Sequence, residues 1–170
     1  MSTELDVQSL VSPEWLHIPY QINGRSQQGT DCLGLVIQWY RAQGLEIADV
    51  NYQFKSGGIG HVTLERGLEL LKKGGPLAES YGVYERWLQF KVISLGVPVV
   101  QFNHLADHDL IIFTAAPGAQ YLGQIAICLQ GRAMLGIDET RGSFIELLTL
   151  QHKQLFAVGI RFPQLVARNA

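Results

Sequence analysis

Apolar residues recur at helical spacing early in this chain and at strand spacing late in it. Between Thr30 and Gly44, residues Cys32, Leu35, Val36, Trp39 and Tyr40 follow the i, i+3, i+4, i+7, i+8 pattern of a helix that buries one face. Thr30 suits the N-cap, Asp31 the first turn and Gly44 a left-handed exit, so the pattern predicts a helix with Cys32 on its core side. Leu64, Leu68 and Leu71 predict a second helix after Thr63, stopped by Lys72-Lys73-Gly74-Gly75-Pro76, and a third is expected from about Val83 to Ile93. From Asp109 onward the texture is that of strands: Leu110 to Thr114, Gln124 to Leu129, Arg132 to Ile137, Ser143 to Leu148 and Ala157 to Phe162. Gln130-Gly131 is expected to form a two-residue hairpin turn. Helices first and an antiparallel sheet afterwards predict an α+β domain.

Composition narrows the classes. At 170 residues and 47 % hydrophobic, the chain is expected to fold as one domain over 1–170, and with 16 % charged residues it is not a disordered one. Thirteen Lys and Arg against fifteen Asp and Glu give a net charge of −2, which leaves no general positive field and argues against a nucleic-acid partner. No run of eighteen apolar residues exists, so no membrane-spanning helix is expected. The opening MSTELDVQSLVSPEW has no Lys or Arg and no sustained apolar stretch, which predicts the absence of a signal peptide and a cytoplasmic location. Cys32 and Cys128 are too few for a disulfide framework and lack zinc-site spacing, so neither a metal nor a cofactor is expected.

Cys32 is the residue with candidate chemistry. A thiol in the first turn of a helix feels the positive end of the dipole, and Gly34 keeps bulk away from it. A small buried packing residue is the plain alternative. The surrounding residues Pro19-Tyr20, Gly24 and Gly29-Thr30-Asp31-Cys32-Leu33-Gly34-Leu35-Val36 resemble the nucleophile segment of the NlpC-type papain-like cysteine peptidases, which cut peptidoglycan stem peptides. Leu33 between the Cys and the Gly, Trp15 upstream, and the closing Gly159-Ile160-Arg161-Phe162-Pro163 look most like the phage-tail-associated branch. The resemblance spans about residues 13–44 and 107–163, and segment 45–107 reads as a helical insertion.

That resemblance implies a papain-like fold with a cysteine-bearing helix packed on an antiparallel sheet. Cys32 then takes the nucleophile position, Tyr20 and Asp31 line the substrate cleft, and His108 stands where the family has a glycine before the first strand. The catalytic His position at the start of the next strand falls on Gln124, and the orienting position falls at about Gly136. An amide neither accepts the thiol proton nor protonates a leaving amine. His108 and His104 are expected roughly 15 Å or more from the required place, at about 3.3 Å per strand residue. His17 and His152 read as ordinary surface or core-edge histidines. His61, after Gly57-Gly58-Ile59-Gly60, is the candidate rescue base. Asp138, expected on the strand face of Gln124, reads as part of a charged loop at Asp138-Glu139-Thr140-Arg141-Gly142.

Three functions follow from the resemblance. The first is a catalytically degenerate, peptidase-like protein of phage-tail or prophage derivation, cytoplasmic or tail-associated, that binds peptidoglycan peptide or a partner protein. The second is an active endopeptidase or amidase with an atypical base. The third is a structural tail- or injection-assembly component, with Phe54, Trp87 and Phe90 as anchors on the insertion.

Overall fold

Leu110 and Ile112 belong to one apolar cluster, and Ile111 and Phe113 to another; Ile125 and Ile127 divide from Ala126 and Cys128 in the same way. This is the period-two alternation of strands buried on both faces. The computed structural model describes residues 7–22, 24–47, 96–114 and 122–168. A short hairpin, β1 (Arg25–Ser26) and β2 (Gly29–Thr30), leads into helix α1 (Cys32–Ala42). The strands β3 (Val97–Val99), β4 (Leu110–Thr114), β5 (Leu122–Leu129), β6 (Ala133–Asp138), β7 (Gly142–Leu147) and β8 (Phe156–Arg161) form one sheet in the order β3-β8-β4-β5-β6-β7. Every neighbouring pair in it is antiparallel. Two short helices, α2 (Leu150–Leu155) and α3 (Pro163–Arg168), flank β8.

Helix α1 lies over β5 and β6. Its Leu33, Val36, Ile37 and Tyr40 are buried in the same cluster as Leu110, Ile125, Ile127 and Leu135. The helix starts one residue later than its sequence pattern suggests. Asp31, not Thr30, is the N-cap, because Thr30 is held in β2 by its hydroxyl on Gly24 O, while the Asp31 carboxylate accepts the Gly34 N–H at 2.8 Å. The exit matches expectation: Gly44 has φ +87°, Gly44 N–H donates to Arg41 O, and Leu45 N–H donates to Tyr40 O, the paired bonds of a glycine-terminated helix.

All five expected strands occur, with ends shifted by up to two residues. Two corrections concern connections. Gln130 and Gly131 do take positive φ, +54° and +70°, and Arg132 N–H closes the turn on Leu129 O. The ladder beyond nevertheless pairs Leu129 with Ala133, so Arg132 is an extra residue and the two-residue register is not kept. The segment read as a helical insertion over 45–107 carries a strand, β3, on the sheet edge, followed by a turn at Phe102–His104, while its residues 48–95 lie outside the described residues. Val97-Pro98-Val99 is too short for a period to show, and Pro98 suits an edge. The predicted second and third helices, with Phe54, Trp87 and Phe90, lie outside the described residues.

A buried charge ties the β4 entrance to β8. The Asp109 carboxylate, 1 % exposed, accepts from Ala106 N–H at 2.8 Å and from Arg161 Nε at 3.0 Å and Nη2 at 2.8 Å. Asp109→Ala strips a partner from Arg161 and from a backbone donor at once. Because the Arg161 side chain keeps 35 % of its exposure and can rehydrate, the expected loss is about 2 kcal/mol rather than the 3–5 of a fully buried pair. Urea midpoints of the two proteins measure it.

Candidate functional site

The first turn of α1 is pressed against the β1–β2 hairpin by glycines. A Cβ at Gly34 would overlap Gly24 O and Thr30 Oγ1, and one at Gly24 would overlap Gly29 O, so each backbone occupies the space a side chain would need. Arg25 reaches back from the hairpin to donate to Asp31 Oδ1 at 3.1 Å and to Gly24 O at 2.8 Å. Gln38 braces the same corner from the next turn, donating to Thr30 Oγ1 and Gly34 O, each at 3.1 Å. Asp31, with its side chain 5 % exposed, is thus a structural clasp whose carboxylate is spent on the cap and on Arg25. Sequence reading missed Arg25 and Gln38, because a polar residue in a short hairpin and one on a helix side carry no periodic signal.

Cys32 occupies the first helical position and keeps part of its surface accessible. Burial, and after it the Asp31 carboxylate, pushes the thiol up to about 12, against the opposing pull of backbone N–H groups at Leu33, Ile125 and Cys32 itself. Among the described residues, no imidazole is one of the principal groups acting on it. The Ile125 contact places the sulfur beside the start of the β5 segment that carries Gln124. Tyr20 joins the same corner through its bridge to Thr30. Its phenol is pushed up to about 12 by burial, then by Cys32, Asp31 and Glu139.

The Gln124 amide is already engaged: Nε2 donates to Ile137 O at 2.8 Å. Gly136 does lie beside it, since a Cβ there would come 3.3 Å from Gln124 Nε2 and 3.2 Å from both Met134 and Phe144. The pair expected at the base and orienting positions is therefore together in space, as an amide and a bare backbone.

The described histidines make their contacts elsewhere. His152 bonds Glu146 and Thr149, His104 sits exposed on the turn Phe102–His104, and His17 is exposed. His108 N–H donates to Cys128 O, near the far end of β5 from Gln124, as the strand arithmetic required. His61 lies outside the described residues. Asp138 closes its own turn, accepting from Thr140 N–H, Arg141 N–H and Arg141 Nε. Cys128 is fully buried in the second apolar cluster. Among the described residues, no cluster of three or more His, Cys, Asp or Glu offers a metal site, and no helix is long and apolar enough to cross a membrane.

The NlpC/P60 family model matches residues 17–154, from just before Tyr20 through β7 into α2. The chain belongs to the NlpC/P60 family. Solved relatives of this NlpC/P60 chain include a NlpC/P60 family protein from Bacillus cereus ATCC 10987, at 21 % identity and TM-score 0.55, covering 92 % of this chain and 40 % of its own. A protein similar to a lipoprotein of the NLP/P60 family from Staphylococcus aureus Mu50 shares 16 % identity at TM-score 0.50, covering 94 % of this chain and 42 % of its own. The NlpC/P60 chain therefore spans about two fifths of the length of these solved relatives, and at such identities they share its fold. Among curated proteins, nothing matches the chain.

Proposed function

We propose that this NlpC/P60 protein is a catalytically degenerate member that holds a peptidoglycan stem peptide in the Cys32 cleft without cleaving it. The observation that carries this reading is the Gln124 amide locked on Ile137 O at 2.8 Å beside a thiol raised to about 12. In this reading Cys32 is the remnant nucleophile, Gln124 the replaced base and Gly136 the vacant orienting position. Amide hydrolysis needs a group that takes the thiol proton and returns it to the leaving amine. Glutamine has no proton affinity at neutral pH, and glycine has no side chain. What remains, hydrogen-bonding groups at Gln124, Tyr20 and the neutral thiol, suits capture of a peptide.

The peptide class is taken from the family, which acts on peptidoglycan. A tail-associated location rests on the resemblance of Leu33, Trp15 and Gly159-Ile160-Arg161-Phe162-Pro163 to the phage-tail-associated branch. Titration of the full chain with a soluble stem peptide is expected to give saturable binding, with the peptide recovered intact by mass spectrometry. Absence of binding at millimolar peptide contradicts the peptide as ligand.

A further inference from the structure

The ladder between β5 and β6 opens at the cleft. Cys128 N–H donates to Asp109 O and Cys128 O accepts from His108 N–H, so the main chain of Cys128 faces the β4 side and that of Ile127 and Leu129 faces β6. Leu129 pairs with Ala133 and Ile127 with Leu135, and the same register sets Ile125 opposite Ile137. Pairing nevertheless stops at Ile127, although β5 runs back to Leu122 on β4 and β6 runs on to Asp138 on β7. Groups of that missing rung are engaged by the cleft instead: Ile125 N–H lies against the Cys32 thiol, and Ile137 O accepts from Gln124 Nε2 at 2.8 Å.

Ile137 O is a fixed acceptor. Ile137 is 3 % exposed and pairs with Ser143, whose outer side is held by His17 N–H on its oxygen and by its own N–H on Ile18 O. An orienting side chain at Gly136 would instead be crowded from its first atom, since a Cβ there comes 3.2 Å from Met134 and Phe144 and 3.3 Å from Gln124 Nε2. Glutamine Nε2 and histidine Nε2 stand the same number of bonds from Cα. A histidine at position 124 therefore gives Nε2–H to Ile137 O, an atom that only accepts, and keeps its lone pair on Nδ1, one bond nearer the backbone and the thiol.

We propose that the main-chain carbonyl of Ile137 is the orienting group of this cleft, so that position 124 lacks a base but not the acceptor that would hold one in place. The inference rests on the reading of the cleft as a degenerate hydrolase. In Gln124→His, the thiol proton passes to Nδ1 as sulfur forms a C–S bond to the amide carbon; the C–N bond then breaks and the leaving amine takes that proton. Water next adds to the thioester carbon, giving a proton to Nδ1, and the C–S bond breaks as sulfur recovers it.

Two measurements need no substrate. Iodoacetamide is expected to alkylate Cys32 at pH 7 at least about a hundredfold faster in Gln124→His than in the original chain, because the imidazole takes up the thiol proton. In Gln124→His combined with Cys32→Ala, side-chain nitrogen chemical shifts at pH 8 are expected to show the Nε2–H form alone, a signature that only a fixed acceptor at Nε2 produces. Alkylation at the original rate, a mixture of the two tautomers, or a Gln124→His chain that does not fold by circular dichroism overturns the proposal, since Nε2 takes the place of the glutamine nitrogen. Stem-peptide cleavage by Gln124→His that disappears with Cys32→Ala supports it further. Fast alkylation without stem-peptide cleavage sustains the role of Ile137 and counts against the stem peptide as ligand, so the two readings fail separately.

Discussion

Iodoacetamide is expected to alkylate Cys32 at pH 7 about a hundredfold more slowly than it alkylates an unstructured cysteine. A free thiol with a pKa near 8.5 is a few per cent thiolate at pH 7. With its thiol pushed up to about 12, Cys32 is ionised in about one molecule in 10⁵. That deficit of roughly 10³·⁵ is partly offset, because a more basic thiolate is intrinsically more nucleophilic; with a Brønsted slope of about 0.4–0.5 it recovers some 1.5 logarithmic units. The sign of the pH dependence follows from the same displacement. Labelling of Cys32 should climb about tenfold per pH unit through pH 9 and 10, where a free thiol has already levelled off, until alkali unfolds the chain. Site-resolved mass spectrometry of the alkylated peptides separates Cys32 from Cys128, which burial also pushes up to about 12. Rapid, pH-independent labelling of Cys32 below pH 8 would instead reveal an activated thiolate and favour an atypical base such as His61.

The second large effect is on stability. Gly34→Ala places a methyl group into Gly24 O and Thr30 Oγ1. These are not the ends of flexible chains: Gly24 O is backbone in the hairpin, and Thr30 Oγ1 is fixed by bonds to Gly24 O and Gln38. Either the hairpin lifts from α1 or the helix start deforms, and the Asp31 cap is lost with it. The expected cost is about 3 kcal/mol, the upper part of the overpacking range, hence a fall in Tm of roughly 10 °C for a domain of this size. Thermal unfolding followed by circular dichroism measures this. A change under about 1 kcal/mol would mean that the corner yields easily and that its geometry does not fix the thiol.

The sheet was legible because four of its strands are near-continuous apolar runs bounded by polar or glycine residues, and α1 because its buried stripe has a clean period. The edge strand β3 was not, since three residues around Pro98 show no period. The N-cap was misplaced by one residue for a tertiary reason: Thr30 and Asp31 are both good caps locally, and only the hairpin contact to Gly24 decides between them. At the candidate site, the residues were found by resemblance and their positions by strand counting, which put Gln124 near Gly136 despite the extra residue at Arg132. The upward displacement of the Cys32 thiol was not foreseen. A helix start was expected to favour the thiolate, but burial and the adjoining Asp31 carboxylate outweigh the backbone N–H groups.

The most direct test of the central claim is prolonged incubation of the full chain with peptidoglycan stem peptides beside its Cys32→Ala variant, with released amines quantified by mass spectrometry. The account predicts equal, background-level cleavage in both. Cleavage that the original chain performs and Cys32→Ala does not would contradict it.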